Sequence, residues 1–374
     1  MKKLILKVAT LCLLAAIFPA PKRVFAAEIS SRCGILMEQI TGRTLFEKCA
    51  DDEMYIASIT KILTALIAIE NGELDEWVEV TEEVIHQVGS SLYLTLGDEI
   101  KLIDLIYGLM LRSGNDAALA IALFIGGDEA TFINMMNERA REIGMENSAF
   151  QNPSGLDETT YNLSTARDMA QAMRYAMNHP LFREIAGTKN HHATSKAGRV
   201  YVWTNKHKLI TGFYQPTIAG KTGFTERARR TLVTSAAKDG LELIVVTLKA
   251  GDDWNDHRQL FEYGFNNYQL LNVVEIGPLH LSGTQIKEHD LTERLYVNRS
   301  VYLAIREDES EGIKVNLMLT DEARKDEQVG TLQIFLNDEI QEEIPVYRLK
   351  DFQNANRSWF GRLFNWLTQA VMMR

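Results

Sequence analysis

The chain reads as an α+β layered domain followed by a small all-β domain and a C-terminal amphipathic helix. Three observations predict this. Strand-like apolar runs stand at both ends of residues 28–270 with a mostly helical stretch between them, so a sheet built from the two ends would carry inserted helices. Beyond Gly277-Pro278, the runs LYVNRSVYLAI, IKVNLML, TLQIFLN and EIPVY are short and alternating, the pattern of an all-β module. Near the end, Trp359, Leu363, Trp366, Leu367 and Ala370 share one helical face, with Arg357, Arg362 and Arg374 as the only charges of residues 356–374. A length of 374 residues suits two or three domains, and 46% hydrophobic residues suffice for packed cores. The net charge of −10 argues against nucleic acid as a partner.

The elements follow in order. Residues 1–26 have a basic start, a short apolar run, and Val24 and Ala26 placed like a small-residue cleavage site, as in a secretory signal peptide. Cys12 lies inside that run with no small residue before it, which speaks against a lipid anchor there. The expected catalytic unit spans residues 27–275. It opens with GILMEQITGRTLFEK, a β-hairpin about Thr41-Gly42 that brings Cys33 and Cys49 nearly opposite each other. In an oxidising setting they could bridge, and otherwise they remain two thiols. ASITKILTALIAIE, residues 57–70, is apolar almost all round, as in a buried helix, and Asn71-Gly72 stops it. Residues 73–99 read as short strands and loops. Lys101–Leu111, Asp116–Phe124 and Thr131–Ile143 read as helices, and a further helix runs to about Asn178 behind a capping box of Thr165 and Asp168. TLVTSA and LELIVVTL form a hairpin, Ile218–Phe224 is a third strand, and Asp256–Leu270 is a helix to cover the sheet. The β-rich domain is expected over 279–348 and the amphipathic helix over 352–374. That helix is too short and too polar to span a bilayer but suits the plane of a membrane surface.

Three polar groups interrupt this apolar framework. Ser58 and Lys61 lie three residues apart on one helix face, within reach of each other. A buried lysine is pushed towards its neutral amine, and a serine beside such an amine is an activated nucleophile. Taken alone, S-x-x-K is more often a helix cap beside a surface lysine. Ser113-Gly114-Asn115 breaks two apolar helices, and a polar break there must point its side chains at something. Lys221-Thr222-Gly223 sits on a strand, where a glycine lets a ligand backbone lie close.

In this order the trio resembles the penicillin-recognising serine acyltransferases, that is, penicillin-binding proteins and serine β-lactamases. ASITKILTALIAIE, LMLRSGNDAALAIA, FQNPSGLD and GKTGFT are similar to the low-molecular-mass D-alanyl-D-alanine carboxypeptidases over residues 28–270, and the β-rich domain and amphipathic tail look like that family's layout. ARRTLVTSAAKDG and DDWNDH look most like the carboxypeptidases that trim spore-cortex peptidoglycan. The resemblance implies an antiparallel sheet with helices on both faces and a helical insert. It also implies an acyl-enzyme reaction that removes the terminal D-alanine of peptidoglycan stem peptides, and covalent capture by β-lactam antibiotics. Ser58 is the implied nucleophile, Lys61 the proton acceptor and Ser113 the relay to the leaving amine. Asn115, Lys221, Thr222 and Gly223 hold the substrate, and the backbone N–H groups of Ser58 and Phe224 form the oxyanion hole. The expected location is the outer face of the cytoplasmic membrane or the spore envelope, held peripherally by the tail. The family's usual arginine beyond the Lys-Thr-Gly strand has no clear counterpart, leaving His257, Arg258 or neither.

Other chemistries fit less well. Gly220-Lys221-Thr222 lacks the earlier glycine of a nucleotide loop, since position 215 is Gln215. His191-His192 has no companion ligands and reads as surface. Without H-E-x-x-H or C-x-x-C, no catalytic metal or other cofactor is expected. A β-lactamase would carry a water-activating glutamate in an E-x-x-L-N loop, and none is found. A non-catalytic peptidoglycan-binding scaffold would not need all three motifs intact. Endopeptidase action on cross-links stays open.

Overall fold

The computed structural model describes residues 28–279, 295–319 and 328–348. The leader-like N-terminus and the expected helix over 352–374 lie outside them. β1 (Cys33–Glu38) and β2 (Thr44–Lys48) form the first hairpin. Glu38 builds its turn, because the buried carboxylate accepts from the amides of Ile40 (2.8 Å) and Thr41 (2.6 Å), and Gly42 adopts φ +74°. The chain then leaves the sheet for the helical insert. Its main helices are α1 (Lys61–Asn71), α2 (Leu102–Arg112), α3 (Asn115–Gly126), α4 (Glu129–Glu142), α5 (Ala166–Met177) and α6 (Pro180–Gly187).

The insert returns through β3 (Thr217–Thr225), β4 (Arg229–Lys238), β5 (Leu241–Ala250) and α7 (Asp253–Asn267). The antiparallel sheet has the order β2-β1-β5-β4-β3, so both chain ends supply strands and β3 is an edge. Alternate residues serve two cores. Ile244, Val246 and Leu248 pack with Leu63, Leu66 and Met173 of the insert, while Leu243 and Val245 pack with Leu260 and Phe261 of α7. Helices therefore cover both faces, as the sequence implied.

Local expectations were refined in three places. The helix read from Ala57 begins as a 3-10 turn, Ala57–Thr60, because Ala57 sits at φ +49°, outside the α region. Thr165 caps α5 by accepting from the Asp168 amide (3.0 Å), but the Asp168 carboxylate turns to the Asn147 amide (2.8 Å) and Ser148 Oγ (2.7 Å) rather than closing a capping box. His192 is exposed as read, but His191 is half-buried: its ring stacks on Tyr107 at 3.8 Å and its Nε2 lies 2.6 Å from Asp104.

The second module is a five-stranded antiparallel sheet built from Gly277–Pro278, Leu295–Val297, Glu339–Arg348, Gln328–Leu336 and Ile313–Leu319. Its core holds Val297, Ile305, Ile334 and Val346. Gln269–Val274 already pairs with Val301–Ile305, so this module recruits strand sequence upstream of Gly277-Pro278. Arg43 joins the two parts, donating to both Glu309 carboxylate oxygens at 3.0 and 2.7 Å.

Between the sheet and α7, a chain of four polar side chains is sealed from water. His257 contacts Thr247 Oγ1 through Nε2 (3.0 Å) and Thr234 Oγ1 through Nδ1 (2.8 Å), and His207 Nε2 meets the same Thr234 hydroxyl at 2.9 Å. Burial holds His207 down to about 3 and His257 well below the ordinary imidazole value. Both rings stay neutral in the fold, whereas the unfolded chain takes up protons below its imidazole value of about 6.5. Stability is thus unaffected by these groups above that pH and falls as pH drops through it, by about 1.4 kcal/mol per unit per ring. Urea unfolding from pH 7.5 to 5 should show this loss, and His257→Gln should reduce its slope by about one ring's share.

Candidate active site

The site forms where the start of α1, the Ser113 bend, the loop over residues 152–157 and the edge strand β3 converge. Ser58 lies within the 3-10 turn and its side chain caps nothing, which removes the simple capping role. The strained Ala57 before it is held from two sides. Thr231 of β4 donates to the Ile56 carbonyl (2.9 Å), and Gly155 packs so tightly that a Cβ there would lie 1.9 Å from the Ala57 oxygen. Gly223 does the same for β3: a Cβ would come within 2.9 Å of the Ser58 amide nitrogen. Only glycine lets the edge strand approach the Ser58 backbone so closely.

Lys61 is fully buried, and its Nζ has three oxygen neighbours: Ser58 Oγ at 3.1 Å, Asn115 Oδ1 at 2.8 Å and the Ser154 carbonyl at 2.6 Å. Burial pushes the amine down to about 7, against the pull of the Asp116 carboxylate and with a further push from Lys206. The hydrogen count is decisive. A neutral amine has two hydrogens and one lone pair. The Asn115 and Ser154 oxygens can only accept, so they take both hydrogens. The lone pair is left for the Ser58 hydroxyl.

Ser113 is also where its motif required, in a left-handed conformation (φ +66°) and almost fully buried. Lys221 Nζ donates to Ser113 Oγ at 3.0 Å and to the Thr222 carbonyl at 2.7 Å. Burial, Lys61 and Lys206 all push Lys221 well below the usual lysine value. Thr222 is half-buried on the edge strand, and the Phe224 side chain is exposed beyond it. His257 is committed to the buried chain under the sheet, and Arg258 is exposed and donates to Asn255 on its own helix, so neither takes the place of the family's arginine.

Several contributors carried no motif. Asp116 is buried and accepts from the amides of Leu92 (2.8 Å) and Ala117 (2.9 Å) and from Ser91 Oγ (2.6 Å). It thereby folds the Ser90–Leu94 segment beside Asn115, whose amide donates to the Ser90 carbonyl at 2.7 Å. Asn152 shapes the loop that offers Ser154, its Oδ1 accepting from the amides of Ser154 (3.1 Å) and Gly155 (2.7 Å). Asp157 ties that loop to the edge strand by accepting from Thr225 Oγ1 at 2.6 Å. Lys206, which donates to Ser90 Oγ at 3.2 Å, adds a third lysine whose charge lowers the proton affinity of both Lys61 and Lys221. Among the described residues, no carboxylate hydrogen-bonds to Ser58 or to Lys61.

A hydroxyl facing an amine's lone pair, beside a strand edge free to pair with a peptide, is equipped for acyl transfer through a serine ester. This site, on a sheet flanked by helices, defines a penicillin-recognising serine acyltransferase. The comparisons narrow the class. The family model for D-alanyl-D-alanine carboxypeptidase, peptidase S11, matches residues 20–252, and the chain belongs to that family. It is 26% identical over 350 residues to D-alanyl-D-alanine carboxypeptidase DacF of Bacillus subtilis, covering 89% of each chain. It is 28% identical over 380 residues to DacC of Escherichia coli, another D-alanyl-D-alanine carboxypeptidase, covering 96% of this chain and 91% of the relative. The solved structure of penicillin binding protein 5 from Haemophilus influenzae shares the fold at a TM-score of 0.72 and 22% identity, covering 86% of this chain and 97% of that one.

The amine near 7 sets a pH dependence. Acylation by a labelled penicillin should rise with pH and reach half its plateau close to pH 7, as Lys61 loses its proton. Lys61→Arg keeps a cation in place at every accessible pH, and should slow acylation by about 10²–10⁴.

Proposed function

We propose that Ser58 is the acyl-ester nucleophile of a serine D-alanyl-D-alanine carboxypeptidase, and that Lys61 activates it. The observation that carries the assignment is the Lys61 amine, whose two hydrogens are claimed by acceptor-only oxygens so that its lone pair faces the serine. The substrate is a peptidoglycan stem peptide ending in D-Ala-D-Ala, laid along β3. Ser58 Oγ attacks the carbonyl of the penultimate D-alanine as Lys61 takes the hydroxyl proton. The oxyanion forms against the backbone N–H groups of Ser58 and Phe224. Ser113, hydrogen-bonded to Lys221, passes a proton to the leaving amine, and D-alanine departs. Asn115 and Gly223 keep the peptide against the strand, and Thr222 offers its hydroxyl to the terminal carboxylate. Water then hydrolyses the ester. A β-lactam presents the same carbonyl and carboxylate, so it acylates the same serine.

The test is direct. A pentapeptide ending in D-Ala-D-Ala, incubated with the protein, should release free D-alanine, and Ser58→Ala should abolish both that release and covalent labelling by penicillin. A penicillin adduct that turned over rapidly would instead favour a β-lactamase.

We further propose that the protein works outside the cytoplasmic membrane, held at its surface by the C-terminal amphipathic helix. The leader-like residues 1–26 and the one-sided apolar face of Trp359, Leu363 and Trp366 support this. The DDWNDH segment and the likeness to DacF favour spore-cortex peptidoglycan as the layer trimmed. Deleting residues 356–374 should move the protein from the membrane fraction to the soluble fraction without changing D-alanine release, and unchanged partition would exclude the anchor.

A further inference from the structure

Cys33 opens β1 and Cys49 directly follows β2. The hairpin register pairs Gly34 with Lys48, so one more step outward sets the two cysteines opposite each other. Their sulfurs and a carboxylate oxygen of Asp52 all lie within 4.8 Å of one another. Cys33 is buried and Cys49 is exposed, and both are free thiols in this structure. Cys49 has φ +46°, so the chain bends there out of the strand direction and stays beside Cys33 instead of diverging from it. Neither thiol takes any part in the active site. We propose that Cys33 and Cys49 are a redox pair whose oxidised form is a disulfide closing the open end of the first hairpin.

The burial pattern fixes the order of events. Cys49 is the thiol a reagent can reach. Burial, together with the neighbouring Cys49 and Asp52, pushes the Cys33 thiol up to about 11, so Cys33 is a poor first nucleophile. Cys49 therefore loses its proton and attacks one sulfur of a small external disulfide. That S–S bond breaks, a mixed disulfide forms at Cys49, and one small thiol leaves. Cys33 then gives up its proton and attacks the Cys49 sulfur, expelling the second small thiol. The two protein thiols are oxidised by two electrons, the external disulfide is reduced to two thiols, and the two protons end on them. The oxidant is a low-molecular-mass or protein disulfide of the kind an exported chain meets.

The cross-link would span positions 34–48, a loop of roughly 15 residues, and restrict the unfolded chain accordingly. It would also fasten the segment that runs from Cys49 through Asp51, which Arg167 holds at 2.7 Å, towards Ser58. In the test, the full chain is incubated with glutathione disulfide, unfolded, alkylated and mapped by peptide mass. The expected result is a Cys33–Cys49 linked peptide lighter than its reduced form by two hydrogens. The melting temperature should be higher by roughly 5–10 °C without reductant than with it. Cys33→Ser and Cys49→Ser should each abolish that difference while leaving D-alanine release intact. Alkylation of both residues after oxidation would overturn the proposal. So would a stable glutathione adduct at Cys49, or a zinc ion retained by the two thiolates and Asp52. The linked peptide and the melting shift do not depend on the peptidase activity, so the inference fails or stands apart from the functional assignment.

Discussion

The active site depends on one buried amine and the three oxygens around it. Each oxygen arrives on a different segment: Ser58 on the turn before α1, Asn115 at the start of α3, and Ser154 on the loop over residues 152–157. An ammonium there would have to give up its hydration, which is why burial drives Lys61 towards the neutral form. Two acceptor-only oxygens then choose the orientation of that neutral amine. The protein thus sets both the protonation state of this amine and the direction of its lone pair.

Holding three segments to within tenths of an ångström requires close backbone contacts, and the structure makes them with glycines and short polar links. Gly155 and Gly223 bring two chain segments against Ala57 and Ser58 where any side chain would collide. Thr64 donates to the Pro153 carbonyl at 2.7 Å, and Asn162 donates to Thr60 at 3.0 Å, so α1 and its preceding turn are pinned to the loop that supplies Ser154. Asp157 carries the same loop across to β3. Beneath β3, Gly220 leaves room for His207, since a Cβ there would lie 2.4 Å from its Nε2. The edge strand is set from both of its faces.

Much of this was legible in the sequence, for identifiable reasons. Ser58, Lys61, Ser113 and Asn115 sit in apolar surroundings where a polar side chain needs a partner; the three-residue spacing told that Ser58 and Lys61 could meet, and the family resemblance implied that Ser113, Asn115 and Lys221 join them. The sheet assembled from both chain ends followed from where β-branched runs stood relative to helical periodicity. What stayed hidden had no side-chain signature. The Ser154 contact is a backbone carbonyl, which any residue could supply. Asp116 reads as an ordinary first-turn acid until the fold wraps residues 90–94 around it. His191 looked solvated because its partner, Asp104, is remote in sequence. Gly277-Pro278 looked like a boundary, yet strand pairing by residues 269–274 is decided by tertiary neighbours that local composition does not encode.

The charge balance of the cleft carries the argument one step further. Lys61 and Lys221 are both buried, Lys61 and Lys206 lower the proton affinity of Lys221, Lys206 lowers that of Lys61, and the carboxylate that pulls on Lys61 is Asp116. Both amines are pushed towards their neutral forms, and the one buried carboxylate in play pulls on Lys61. In the proposed mechanism, a proton taken from Ser58 by Lys61 enters a site short of negative charge, which favours passing it onward. Ser113, bonded to Lys221, is the proposed relay to the departing amine. The same imbalance suits a substrate that ends in a carboxylate, since the entering anion supplies the missing counter-charge only once it is in place. Under the proposed mechanism this shortage couples binding to proton uptake, and a peptide without a free terminal carboxylate leaves the site uncompensated.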